Sequence, residues 1–285
     1  MSTSQTFTAT AVGAVWADII SPVGTVTVTV DPTLTHAVIM VSTTDDEGPL
    51  AEAVANTTHR EHRYRNMECI RVDVPEPRDL LMHGGGSSHR YSGNTMVVAQ
   101  NFGTIHGSVT GVVMSDGDIT IGGRRIVSNG RVIAQQGTVV QGGGAGTITV
   151  DVRLPSDMSS VRLETTSADL TAHGDLQILD VHSVSGDIRG QGVHTLRVAT
   201  TSGDTELERA EARVDVSTVS GDVHVGAYNG TGARINSVSG DIRLSATPVA
   251  DGEIALSTVS GDVTTRGTTR LHERISTVSG DYYRR

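Results

Sequence analysis

From Val161 onward, apolar side chains recur on a two-residue beat that is interrupted at nearly regular intervals. A beat of two sends successive side chains to opposite faces of a strand, so the pattern predicts short strands with one buried face. Aligning the interruptions produces an apolar column at Leu163, Val181, Val198, Val216, Ile235, Leu256 and Ile275. Two positions earlier stand Val161, Leu179, Leu196, Val214, Ala233, Ile254 and Glu273, which share that parity and so the inward face. After each interruption Leu170, Ile188, Val223, Ile242 and Val263 return to the core, with Thr205 and Tyr282 in the same column. The unit occurs seven times at spacings of 17 to 21 residues. That is one solenoid coil, too short to bury a core alone but able to do so when stacked. The expected architecture is all-β: a right-handed parallel β-helix of about seven coils, stacked about 4.8 Å apart.

Each interruption carries one short word: a hydroxyl residue, Val or Thr, then Ser, Gly and Asp. Its core stands at Ser185-Gly186-Asp187 and again from Ser202, Ser220, Ser239, Ser260 and Ser279, with Ser167-Ala168-Asp169 as a weaker first copy. Gly permits a tight corner, and Asp there can bond its own downstream amides. Ala168 would cost about 1 kcal/mol at a corner demanding positive φ, so the first coil is expected to bend differently. The hydroxyl column (Thr165, Ser183, Thr200, Thr218, Ser237, Thr258, Thr277) has inward parity. Stacked hydroxyls at a corner can satisfy one another and the turning backbone. Facing inward, they argue against an ice-binding array.

Two columns are candidate sites. Asp169, Asp187, Asp204, Asp222, Asp241, Asp262 and Asp281 form a surface ladder. Carboxylates one coil apart repel by about 0.9 kcal/mol per pair in bulk water before screening. Turn amides with Arg189 and Arg243 offset this in the structural reading; a calcium ion does so in the alternative, although calcium-binding nonapeptide solenoids use another spacing. The second column, Val184, Val219, Val238, Val259 and Val278 with Thr166 and Thr201, has parity opposite to the core. The favoured reading is that the corner turns it inward. The alternative is an exposed apolar ridge that binds a partner.

Three regions precede or contain this array: a β-rich N-terminal region over 1–82, a Gly-rich β/loop elaboration over 83–146, and the solenoid over 147–285. In the first, Val26, Val28 and Val30 alternate with Thr as a half-buried strand, Asp31-Pro32 ends it, and His36–Val41 reads as its neighbour. Glu47–Asn56 reads as a short helix with Leu50, Ala51 and Val54 on one face, and Met67–Val74 as a strand. His83–His89 is a Gly-rich joint. Short strands with tight bends, as in an irregular solenoid, are expected from there to Gly146, with a partly disordered insertion as the alternative. Thr147–Leu154 alternates Ile148, Val150, Val152 and Leu154 and leads into the array.

Composition narrows the function. Aromatics are only 3%, so the core must consist of small and branched aliphatics, as thin β-layers allow. All 22 basic residues are Arg, which excludes a Schiff-base or P-loop Lys. A net charge of −10 argues against nucleic acid as the partner. Cys69 is alone, so no internal disulfide or Cys-based zinc site is expected. His59 and His62 are spaced for one helix face, and His83 and His89 flank glycines; all four read as surface residues rather than zinc ligands. Gly84–Gly86 and Gly142–Gly144 lack the residues of phosphate loops. Met1–Thr10 is polar, and no stretch approaches the roughly 20 apolar residues of a membrane span. The expectation is a cytoplasmic protein without catalytic, cofactor-binding or metal residues.

The Ser-Gly-Asp words and the strand ending at Leu154-Pro155 resemble the DUF4097 family of bacterial β-strand-repeat proteins, often labelled "putative adhesins". The resemblance covers the array and, more loosely, the strands of residues 11–41. Ile105-His106-Gly107-Ser108-Val109 is similar to short His-Gly words in actinobacterial proteins. The family implies a parallel β-helix with a surface or envelope role and carries over no catalytic residues. A β-helix polysaccharide lyase needs long loops around a cleft, for which 17 to 21 residues per coil leave little chain. The expected function is therefore a scaffold that binds a protein or surface partner through its coil faces. Asp281-Tyr282-Tyr283-Arg284-Arg285 falls partway through a coil, and open strand edges there suggest end-to-end self-assembly as the alternative.

Overall fold

The structure is a computed structural model that describes residues 2–77, 112–115, 118–121, 124–128, 131–132 and 147–285. It divides into two compact units, residues 1–76 with 146–285, and residues 77–145. The first unit begins with β1 (Thr3–Val12), β2 (Trp16–Ile20), β3 (Val23–Val30), β4 (His36–Thr43), helix α1 (Pro49–Ala55), β5 (Thr58–Tyr64) and β6 (Met67–Asp73). In the second unit β7 (Val112–Ser115), β8 (Asp118–Ile121), β9 (Arg124–Ser128) and β10 (Arg131–Val132) pair antiparallel in chain order. Hairpin pairing makes these strands a meander, not coils of an irregular solenoid. The remaining calls on residues 83–111 and 133–146, with their Gly runs and His83, His89 and His106, lie outside the described residues.

The first unit resumes with β11 (Ile148–Leu154), β12 (Ser160–Glu164), β13 (Ser167–His182), β14 (Ile188–Ala199) and β15 (Thr205–Ser217). It ends with β16 (Val223–Tyr228), β17 (Gly232–Asn236), β18 (Ile242–Ala246), β19 (Gly252–Thr258), β20 (Val263–Arg266), β21 (Leu271–Thr277) and β22 (Tyr282–Arg284). These stack in parallel as two sheets joined at the Ser-Gly-Asp corners. The leading sheet runs β12, β13, β14, β15, β17, β19, β21; the trailing sheet runs β13, β14, β15, β16, β18, β20, β22. β13, β14 and β15 serve both sheets, bending between them, and register shifts mark the bend between Ala172 and Asp175 and between Val193 and Thr195. The apolar columns pair in register, as at Leu163–Val181–Val198–Val216–Ile235–Leu256, and all six of these are buried. The solenoid expected from periodicity is thus the observed fold.

The N-terminal strands are not a neighbouring unit but layers of the same solenoid. β2 pairs parallel with β12, and β3 with β13, so Ile19 lies beside Leu163, Gly24 beside Ala168 and Val26 beside Leu170. Ile19-Ile20-Ser21-Pro22-Val23-Gly24-Thr25-Val26 therefore occupies the positions of the repeat word as a further copy. Beyond it, β6 pairs with β2, and β11 with β3, to build one more layer. The corner of that layer is where residues 77–145 are inserted in the chain.

That end of the stack is closed by antiparallel strands. β4 pairs with β11, β1 with β4, and β5 with β6. α1 packs on β1 and β4 and buries Leu50, Ala51, Ala53 and Val54. Two local readings change. The His36–Val41 strand does not adjoin Val26–Val30, because β11 lies between them. His59 and His62 stand on a strand, both exposed, and so share no helix face. At the opposite end the inward column finishes in a charge. Glu273 accepts a hydrogen bond from Tyr282 Oη (2.8 Å), and Arg284 Nε lies 3.7 Å from it.

Candidate functional site

Five columns meet at the corner, and each has a distinct place in it. Ser N–H groups hold successive coils together: Ser202 donates to Val184 O (2.9 Å), Ser220 to Thr201 O (2.9 Å) and Ser239 to Val219 O (2.8 Å). The inner hydroxyls bond turn carbonyls rather than one another. Ser183 Oγ donates to Ser185 O (2.7 Å), Thr200 Oγ1 to Ser202 O (2.9 Å) and Thr258 Oγ1 to Gly240 O (3.2 Å). Thr218 Oγ1 and Ser237 Oγ are buried without a partner.

Gly is required by the stacking as much as by the turn. A Cβ on Gly221 would lie 2.8 Å from the Gly203 carbonyl carbon, with the carbonyl oxygen closer still, and φ there is 141°. The same collision recurs from Gly203 to Gly186 and from Gly240 to Gly221. Ala168 sits within β13 at the first corner and has no positive φ, as at Gly240, Gly261 and Gly280, so its Cβ meets no backbone penalty there.

The aspartates bond forward, though not to their own turns. Each Oδ1 accepts the backbone N–H of the aspartate one coil on: Asp187 N–H to Asp169 (2.9 Å), Asp204 to Asp187 (3.1 Å), Asp222 to Asp204 (2.8 Å). The ladder continues through Asp241, Asp262 and Asp281 at 2.8 to 2.9 Å. Arg189 pairs with Asp187 (2.9 Å), and Arg243 with Asp241 (2.7 Å) and Asp222 (3.4 Å). Charge-assisted acceptance of an amide offsets the mutual repulsion. Among the described residues, no three His, Cys, Asp or Glu side chains converge as a metal site.

The valine column overturns the favoured inward reading. Val219, Val238 and Val259 are 46–49% exposed and Val278 is 77% exposed. The hydroxyl one residue earlier is pinned inward by the corner, so strict alternation leaves the valine outside. Val219, Val238, Val259 and Val278 form an unbroken apolar stripe; exposed Thr201 separates it from Val184.

A further column went unread in the sequence. Between the two buried columns of the leading sheet, facing outward, stand Arg71, Asp18, Arg162, Asp180, Arg197, Asp215, Arg234, Ala255 and Arg274, in register in that order. The signs alternate until Ala255. Opposite charges directly across a sheet each contribute about 0.2–1 kcal/mol and disfavour slipped registers. Arg71 and Asp18 close to 2.9 Å. The same alignment that revealed the apolar columns would have shown the last seven members.

A parallel stack of coils with a repeated polar corner and one capped end defines a β-solenoid repeat protein. The chain belongs to the DUF4097 family, described as Toastrack DUF4097, whose model matches residues 112–282. The fold is similar to that of a "putative adhesin" from Bacteroides fragilis, with 13% identity, a TM-score of 0.53, and coverage of 99% of this chain and 97% of that one. A "putative adhesin" from Parabacteroides distasonis aligns at 10% identity and TM-score 0.48 over 99% of this chain and 97% of its own. A "putative cell adhesion protein" from Clostridium sporogenes aligns at 6% identity and TM-score 0.35 over 100% and 99%. No curated protein matches the sequence.

Proposed function

We propose that this protein is a non-enzymatic, adhesin-like scaffold whose solenoid corner binds a protein or surface partner. The observation that carries the reading is the Val219–Val238–Val259–Val278 stripe, apolar, exposed and held at coil spacing by a hydrogen-bonded backbone. A row of branched side chains on a rigid edge loses little entropy on binding and presents contiguous apolar area. The adhesion names of the structural neighbours are consistent with it. The cytoplasm is the compartment of this proposal, and cell fractionation decides it. Among the described residues no helix is long and apolar enough to cross a membrane.

The experiment is a Val219→Glu/Val238→Glu variant. Exposed positions tolerate charge, so its unfolding midpoint should stay within a few degrees of the parent while capture of the partner is lost. A folded variant that retains its partners would move the binding surface elsewhere.

Self-association is the second reading, favoured by the outer edges of β21 and β22, which are unpaired among the described residues. At the opposite end β1 and β5 are edge strands too, each with one partner among the described residues, so this edge can meet a second copy of itself as a two-fold dimer or the far end of another copy as a filament.

A further inference from the structure

The alternating column of the leading sheet contains one defect. Where the pattern calls for an acid, between Arg234 and Arg274, the chain has Ala255. Other arginines of the column are half-buried among their neighbours, but Arg234 and Arg274 are exposed. Arg234 makes no ion pair among the described residues, although Asp215 stands in register on its other side. Arg274 pairs through Nε with Glu253 (2.8 Å), and its side chain remains 80% exposed. The two guanidinium positions are two coils apart, about 9.6 Å. Between them lies a shallow depression lined by Ala255, Leu256, Ile275 and Glu273, whose carboxylate is engaged by Tyr282 and Arg284. Beside it, on the same outward face, Asn236, Ser257 and Ser276 pair in register as a column of neutral hydrogen-bonding groups.

We propose that this gap binds the carboxylate of an acidic sugar, a uronate unit of a glycan. The ligand's carboxylate takes the place the missing aspartate would have held, between Arg234 and Arg274. Its ring hydroxyls meet Asn236, Ser257 and Ser276. A guanidinium binds a carboxylate in a planar fork, and neighbouring amide and hydroxyl groups can donate to or accept from sugar hydroxyls. A protein partner fits less well, because the larger apolar side chains of the lining, Leu256 and Ile275, are buried and half-buried and give little anchor. The site is distinct from the valine stripe, which lies at the corner.

The test is calorimetric titration of the full chain with a galacturonate oligosaccharide, set against a neutral galactose oligosaccharide of equal length. The acidic ligand should bind at least tenfold more tightly than the neutral one. Ala255→Asp should weaken that binding at least tenfold while leaving the melting temperature unchanged or raised, since it completes the charge alternation. Arg234→Gln should weaken it likewise, and Val219→Glu/Val238→Glu should not. Equal binding of both sugars, undiminished binding by Ala255→Asp, or no heat at millimolar ligand overturns the proposal. Tighter binding of a Glu-rich peptide than of the uronate overturns it too.

Discussion

Replacing Gly221 by Ala adds one methyl group at the most crowded point of the stack, and its cost can be worked from the geometry. The new Cβ would lie 2.8 Å from the Gly203 carbonyl carbon and inside contact distance of its oxygen, both backbone atoms that cannot swing aside. The φ of 141° adds about 1 kcal/mol for a residue with a Cβ. Relief requires the coil to lift. That weakens the two bonds to the preceding coil, Ser220 N–H to Thr201 O (2.9 Å) and Asp222 N–H to Asp204 Oδ1 (2.8 Å). If both are lost at about 1 kcal/mol each, the total reaches about 3 kcal/mol. Gly232→Ala is the matched control. Nothing lies within 4 Å of its Cβ position, and reduced freedom of the unfolded chain should stabilise by about 0.5 kcal/mol. Urea unfolding followed by circular dichroism measures both, with an unchanged m-value confirming that the same surface is exposed. A Gly221→Ala loss below about 1 kcal/mol, or equal losses in the two variants, would refute the close-packing account of the Gly column.

Three other outcomes follow from the described contacts. Asp222→Ala removes the acceptor for the Asp241 amide and should cost about 1–2 kcal/mol, whereas Asp222→Asn keeps an acceptor oxygen and should cost less; millimolar calcium should leave the parent's melting temperature unmoved. Cys69 is buried, and burial, with Asp18 nearby, pushes its thiol up to about 12, so native protein at pH 8 should resist a thiol reagent that reacts promptly after denaturation. Light scattering across a concentration series should show dimers or larger species that grow with concentration if the free strand edges associate, and a concentration-independent monomer would reject that assembly.

The inward columns and the solenoid were legible because each coil repeats the same parity, so errors in one copy are corrected by the others. Parity also placed Val219 and Val238 correctly; the error was to let the corner override it. The aspartate partners were missed because turn chemistry looks along the chain, while Asp204 bonds an amide 18 residues onward. Ile19–Val26 was hidden because Val23 and Thr25 replace the Ser and Asp of the signature, and only its pairing with Leu163 and Leu170 exposes the match. No local pattern could announce that Ile148–Leu154 slots between β3 and β4, since that contact is decided by which edges remain open once the chain returns. The Arg–Asp column lay in plain view among polar residues, where single sequences attract little scrutiny.

The order of layers in space differs from the order of synthesis. The coils after Leu163 pair with neighbours 17 to 21 residues away and can zip as they leave the ribosome. Val15, by contrast, donates to the Ser159 hydroxyl 144 residues downstream. At about 5–20 residues per second, β3 waits on the order of ten seconds for β11 and β13, while β2 can pair with β6 much sooner. During that interval Val26 and Val28 have no strand beside them. Substitutions in Ile148–Glu164 should therefore strand the nascent N-terminal quarter and lower soluble yield more than equally buried changes in later coils.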